Sequence, residues 1–165
     1  MTTFVLVHVL ISLVGIVSGF VVVFGLLAAK RLDGWTSLFL TTTVLTSVTG
    51  FLLPAHKILP SHIVGAISLV VLAIAIFARY ARHLEGGWRT SYVVSSVLAL
   101  YFNVFVLVVQ SFMKVPALKA LAPTQSEPPF AIAQGLVLVL FIVLGIAAAK
   151  RFHGETMPMA ASSSR

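Results

Sequence analysis

The sequence predicts an all-α fold: a polytopic membrane bundle of five transmembrane helices. Three observations predict it. Of 165 residues, 59% are apolar and only 9% charged, at a mean hydropathy of +1.10, whereas roughly a quarter of a soluble domain is charged. Five stretches, residues 3–29, 36–53, 61–78, 91–113 and 130–149, contain no Lys, Arg, Asp or Glu. Each reaches the roughly 17–25 residues that carry a helix across about 30 Å of hydrocarbon. All five are apolar on every side, unlike the alternating strands of about ten residues that build a membrane barrel.

The first stretch follows no basic residue and precedes Lys30 and Arg31. This reverses the charge order of a signal peptide, so the segment is expected to be retained as the first helix. It places His8, Ser12, Gly15 and Gly19 on one face, and the two glycines form the small-xxx-small pattern that lets helices approach closely. The second stretch puts Thr42, Thr46 and Thr49 on one face; its hydroxyls are expected to bond the carbonyl four residues back or a neighbouring helix. The third supplies His62 near its start. The fourth spaces Ser96, Asn103 and Gln110 by sevens, with Asn103 near its midpoint, and the fifth carries Gln134 about a turn from its start. Residues 114–129 contain Pro116, Pro123, Pro128 and Pro129 and read as a stiff cap. Residues 150–165 end in a run of serines and read as a frayed tail. The chain is expected to be one integral-membrane domain.

Basic residues in short loops resist translocation, so they orient the bundle. Lys30, Arg31, Arg79, Arg82, Arg89, Lys150, Arg151 and Arg165 fall on one side, against Lys57, Lys114 and Lys119 on the other. With five spans, the N-terminus is expected outside and the C-terminus in the cytoplasm. These charges read as topological anchors, with Trp35 and Trp88 as interfacial anchors beside them. Clustered in twos and threes at helix ends, they do not build a nucleic-acid groove, and no nucleic-acid partner is expected. The absence of cysteine removes disulfides and thiolate chemistry. The layout resembles the small polytopic proteins of bacterial inner membranes, in architecture only.

The chain also echoes itself. His8 to Trp35 spans 27 positions and ends in Lys30-Arg31-Leu32-Asp33-Gly34-Trp35; His62 to Trp88 spans 26 and ends in Arg82-His83-Leu84-Glu85-Gly86-Gly87-Trp88. Read as an internal repeat, this gives two tandem helical hairpins plus one helix, with His8 and His62 at equivalent positions.

Polar side chains inside spans are costly and mark where function is sought. His8, Thr49, His62, Gln110 and Gln134 fall within the outermost turns of their helices, so five helices each offer one polar group to the same layer. With His56 in the short loop after the second helix, and Asn103 deeper, they outline an outward-facing polar cavity. The reading that needs least is a non-enzymatic accessory or partner subunit of a larger membrane complex, in contact with the lipid bilayer and other membrane-protein subunits. The alternative is a redox protein, in which His8 and His62 hold a b-type haem as axial ligands, or in which His8, Gln110 and Tyr101 hold a quinone head group. A third reading is a small-solute transporter, against which stands the lack of any carboxylate within a span. Metal hydrolysis lacks a third ligand, and a Ser12–His8 hydrolase lacks an oxyanion site.

Overall fold

The computed structural model describes residues 3–53 and 60–152. Among these the chain is helical without strands: α1 (Thr3–Leu27), α2 (Asp33–Phe51), α3 (Pro60–Ile76, continued by a π-helical turn Phe77–Ala81), α4 (Trp88–Lys114), the short α5 (Pro116–Leu121) and α6 (Pro128–Arg151). Four of these, Thr3–Leu27, Pro60–Ala81, Trp88–Lys114 and Pro128–Arg151, are long and apolar enough to cross a membrane. The stretch expected as the second span forms α2, which is not among these four; eight of its residues are Ser or Thr.

Helix ends shift from expectation for local reasons. The first helix stops at Leu27 rather than Ala29. Ala29 turns left-handed at φ 55°, letting Lys30 N–H bond the Gly25 carbonyl at 2.8 Å and Ala29 N–H bond that of Leu26 at 3.1 Å. This doubly bonded ending satisfies carbonyls the helix would otherwise leave open. Helix α2 begins three residues early because Asp33 can stand in its first turn, where a carboxylate meets the positive end of the helix dipole. Proline occupies the first turn of both α5 and α6, where a missing N–H costs nothing. The proline-rich segment is therefore partly helical. It closes in a turn in which the Glu127 carboxylate accepts hydrogen bonds from the Thr124 hydroxyl at 2.8 Å and the Ser126 N–H at 3.1 Å. Lys150 and Arg151, expected in the tail, are the last residues of α6; residues 153–165 lie outside the described residues.

Helices α1 to α4 form an up-down ring, each packed on the next and α4 closing back on α1, while α6 lies outside against α4 and α1. Helix α4 is the inner member and α6 the peripheral one: in their most apolar windows 50% of residues are buried in the first and 6% in the second. One half of the ring is densely filled. Val22, Val23 and Leu26 of α1 meet Phe39 and Leu40 of α2, Leu72 and Ala75 of α3, and Tyr92, Val93, Val97 and Leu100 of α4. Gly19 lets α1 close on Phe39 and Leu100. Lipid tails are as apolar as these side chains, so this packing, rather than escape from water, holds the helices together. Towards the other end, where α1 begins and α4 finishes, small and polar residues stand among the apolar ones and the ring opens.

Candidate functional site: a cavity at one end of the helix ring

The open half encloses a cavity of about 350 Å³ bounded by α1, α2, α3 and α4. Its walls are mainly apolar, with Val9 and Leu13 on α1, Phe51 on α2, Val64 on α3, and Val106 and Leu107 on α4. Small residues make the space: Ser12, Ser47, Gly50, Gly65 and Ser68 all face it. The polar groups are His8, His62, Asn103 and Gln110, with Lys114 where α4 ends. No carboxylate is among the described lining residues, and no group of three or more His, Cys, Asp or Glu that could hold a metal ion occurs among the described residues.

His8 is the best-defined of these groups. Its Nδ1 lies 2.7 Å from the Thr49 hydroxyl, and that hydroxyl has its own proton committed to the Leu45 carbonyl at 2.6 Å. A hydroxyl has one proton to give, so the Thr49 oxygen accepts from His8 Nδ1–H. The neutral ring then carries its free lone pair on Nε2, the tautomer of a histidine that accepts a hydrogen bond or ligates a metal. Thr49 itself does not line the cavity; it orients the ring from behind. Replacing Thr49 by valine removes the acceptor at similar volume. The expected result is loss of the Nδ1–H preference in the ¹⁵N spectrum of the His8 ring, with a stability cost of about 1 kcal/mol.

The other predicted residues divide. His62 lines the same cavity from α3, with its ring 5.7 Å from that of Phe51. Asn103 lies deeper and donates to the Thr43 hydroxyl at 3.4 Å, tying α4 to α2. Gln110 faces the cavity near the Lys114 end. Gln134 does not join them: it sits on the peripheral α6 and donates to the Phe105 carbonyl of α4 at 3.2 Å. The polar layer thus draws on the four ring helices and not on the fifth stretch. Tyr101 also points elsewhere, into an aromatic cluster with Phe102, Phe105 and Phe141 at ring distances of 5.6 to 6.1 Å. His56 lies outside the described residues. The Thr46 hydroxyl, on the cavity wall, is buried without a hydrogen-bond partner among the described residues.

At the opposite end of the ring stands a feature that charge counting did not reveal. Arg79, taken as a topological anchor beyond the third span, lies within the π-helical turn, its side chain only 3% exposed. It is ion-paired with Asp33 at the start of α2, and it donates to the Tyr92 hydroxyl of α4 at 3.3 Å. Its guanidinium also lies over the rings of Tyr80 and Tyr92, at 5.8 and 5.3 Å. The wider π turn, closed by Arg82 N–H on the Phe77 carbonyl at 3.0 Å, brings both Ala78 and Arg79 to buried positions. Three helices are therefore tied by charge and hydrogen bonds at one end and separated by a cavity at the other. In the sequence the signal for this was slight: an acid, Asp33, at the start of one apolar stretch and an arginine, Arg79, beside Tyr80 at the end of another.

No family model, curated protein or solved structure matches this chain.

Proposed function

We propose that the chain is a five-span membrane protein of the bacterial inner membrane, N-terminus outside and C-terminus in the cytoplasm, whose ring cavity binds a small amphiphilic ligand. It acts as a non-enzymatic binding or accessory subunit. Counting α2 as a span is supported by its place between α1 and α3 and by its length, which at 1.5 Å per residue covers about 28 Å. Its hydroxyls do not need water: Thr42 bonds the Leu38 carbonyl at 2.7 Å and Thr49 that of Leu45 at 2.6 Å. That the cavity faces outward is supported by the larger share of basic residues falling at the opposite end. The tandem-hairpin origin belongs to this reading, since α1–α2 and α3–α4 are two of the packed pairs of the ring.

The observation that carries the binding function is the cavity itself. About 350 Å³ lies within the range of roughly 300–1,000 Å³ typical of small-ligand sites. Apolar walls with a few convergent polar groups, His8, Gln110 and Asn103, match the composition of such sites. The test is methyl NMR of the full chain in lipid nanodiscs, titrated with 1-decanol. Saturable shifts of the Val9, Leu13 and Val106 methyls, abolished when Val106→Trp fills the space, are expected; shifts spread evenly over lipid-facing methyls would overturn the reading.

A second reading is redox, favoured by one specific observation: His8 and His62 line the same cavity, and His8 carries its lone pair on Nε2. Such a pair is the ligand set of a b-type haem. An absorbance spectrum of the purified protein decides it, since a Soret band lost in both His8→Ala and His62→Ala is required. A quinone is an amphiphile of the first reading, held here by His8 and Gln110 without Tyr101.

A further inference from the structure

The cavity has an electrostatic asymmetry that narrows its ligand. Lys114 belongs to its lining, at the last position of α4. The other ionisable side chains among the described lining residues are His8 and His62, and none is acidic. A low-dielectric cleft lined by one sign of charge concentrates ligands of the opposite sign. Gln110, one turn before Lys114 on the same helix, also lines the cavity and has no hydrogen-bond partner among the described residues, so its amide has N–H groups to donate. Beyond this polar end the walls are mainly aliphatic and aromatic, through Leu107, Val106 and Phe102 to Leu13 and Ile16, with Asn103 and the hydroxyls of Ser12, Ser47 and Ser68 among them. The volume is at the small end for a ligand site and suits one short chain rather than two.

Building on the binding reading above, we infer that the site takes a single-chain aliphatic carboxylate, its head group held by Lys114 and Gln110 and its tail in the apolar depth. The Lys114 ammonium pairs with the carboxylate in a charge-assisted hydrogen bond, and the Gln110 amide donates to the second oxygen. An alcohol of the same length loses the ion pair, and an alkylammonium meets repulsion.

The experiment compares three ten-carbon probes, decanoate, 1-decanol and decylammonium, by methyl NMR of the full chain in zwitterionic nanodiscs at pH 8. Decanoate is expected to saturate the cavity methyls at a concentration about tenfold lower than 1-decanol, the discrimination that one charge-assisted hydrogen bond supplies. Lys114→Gln should bring the decanoate and 1-decanol midpoints together, and Lys114→Arg should keep them apart. Lys114 is exposed, so neither variant threatens the fold. Equal binding of decanoate and 1-decanol by the native chain, or a preference surviving Lys114→Gln, overturns the carboxylate assignment while the cavity reading stands. If none of the three probes moves the cavity methyls, the binding reading fails and the assignment with it.

Discussion

Replacing Asp33 by alanine is expected to destabilise the bundle by about 2–3 kcal/mol, more than replacing Arg79 by methionine. The asymmetry follows from exposure. The Asp33 side chain is 72% exposed and that of Arg79 3% exposed. Removing the acid leaves a buried guanidinium that has lost its counter-charge, with only the Tyr92 hydroxyl and two aromatic faces for compensation. Removing the arginine leaves a carboxylate that water re-solvates, while methionine keeps most of the apolar contact against Tyr92. The double variant Asp33→Ala with Arg79→Met should therefore recover much of the loss seen with Asp33→Ala alone. Thermal unfolding in a mild detergent, read as a double-mutant cycle, measures all three. An Asp33→Ala protein as stable as Arg79→Met would show that the pair does not tie α2 to α3.

The second large effect is steric. A Cβ on Gly19 would stand 2.6 Å from Leu100 Cδ1 and 2.8 Å from the Phe39 ring. Both neighbours are fully buried, so neither can swing aside into open space. Gly19→Ala is expected to cost about 1–3 kcal/mol by overpacking, which outweighs the roughly 0.5–1 kcal/mol that alanine gains over glycine within a helix. Gly15→Ala should cost less, because its Cβ meets Thr42, Thr43 and Asn103 at 3.2 to 3.5 Å. Gly135, on the peripheral helix, has nothing within 4 Å of a built Cβ, and Gly135→Ala should be neutral or stabilising. Unfolding midpoints in the order Gly135→Ala, Gly15→Ala, Gly19→Ala, falling, check the packing of α1. A Gly19→Ala protein as stable as the native chain would mean that α1, α2 and α4 do not meet as closely as described.

How much was legible in the sequence differs between elements and faces. The apolar stretches correspond to α1, α2, α3, α4 and α6, with ends displaced by about a turn where a left-handed residue, an acidic first turn or a π turn intervened. His8, His62, Asn103 and Gln110 do face one cavity, although only their depth along each helix was readable. Depth follows from counting residues at a fixed rise. Facing does not, and Gln134 shows why: at a similar depth to the others, it lies on a helix outside the ring and bonds a backbone carbonyl. Arg79 shows the same from the other side, since its position just past an uncharged stretch resembles that of Arg82 and Arg89, while the π turn buries it alone among the three.

By itself, then, the scarcity of charge determined that the chain is helical and suited to a bilayer, and the spacing of uncharged stretches determined where its long helices run. Which side chains meet was decided only by the tertiary structure. The physical reason lies in the solvent. In water a helix advertises its inner face by being apolar there and polar elsewhere, but in lipid both faces are apolar, and the pattern that would assign them is lost. What remains to choose the faces is fit: Gly19 against Phe39, Thr49 behind His8, and one arginine that finds its acid on a neighbouring helix.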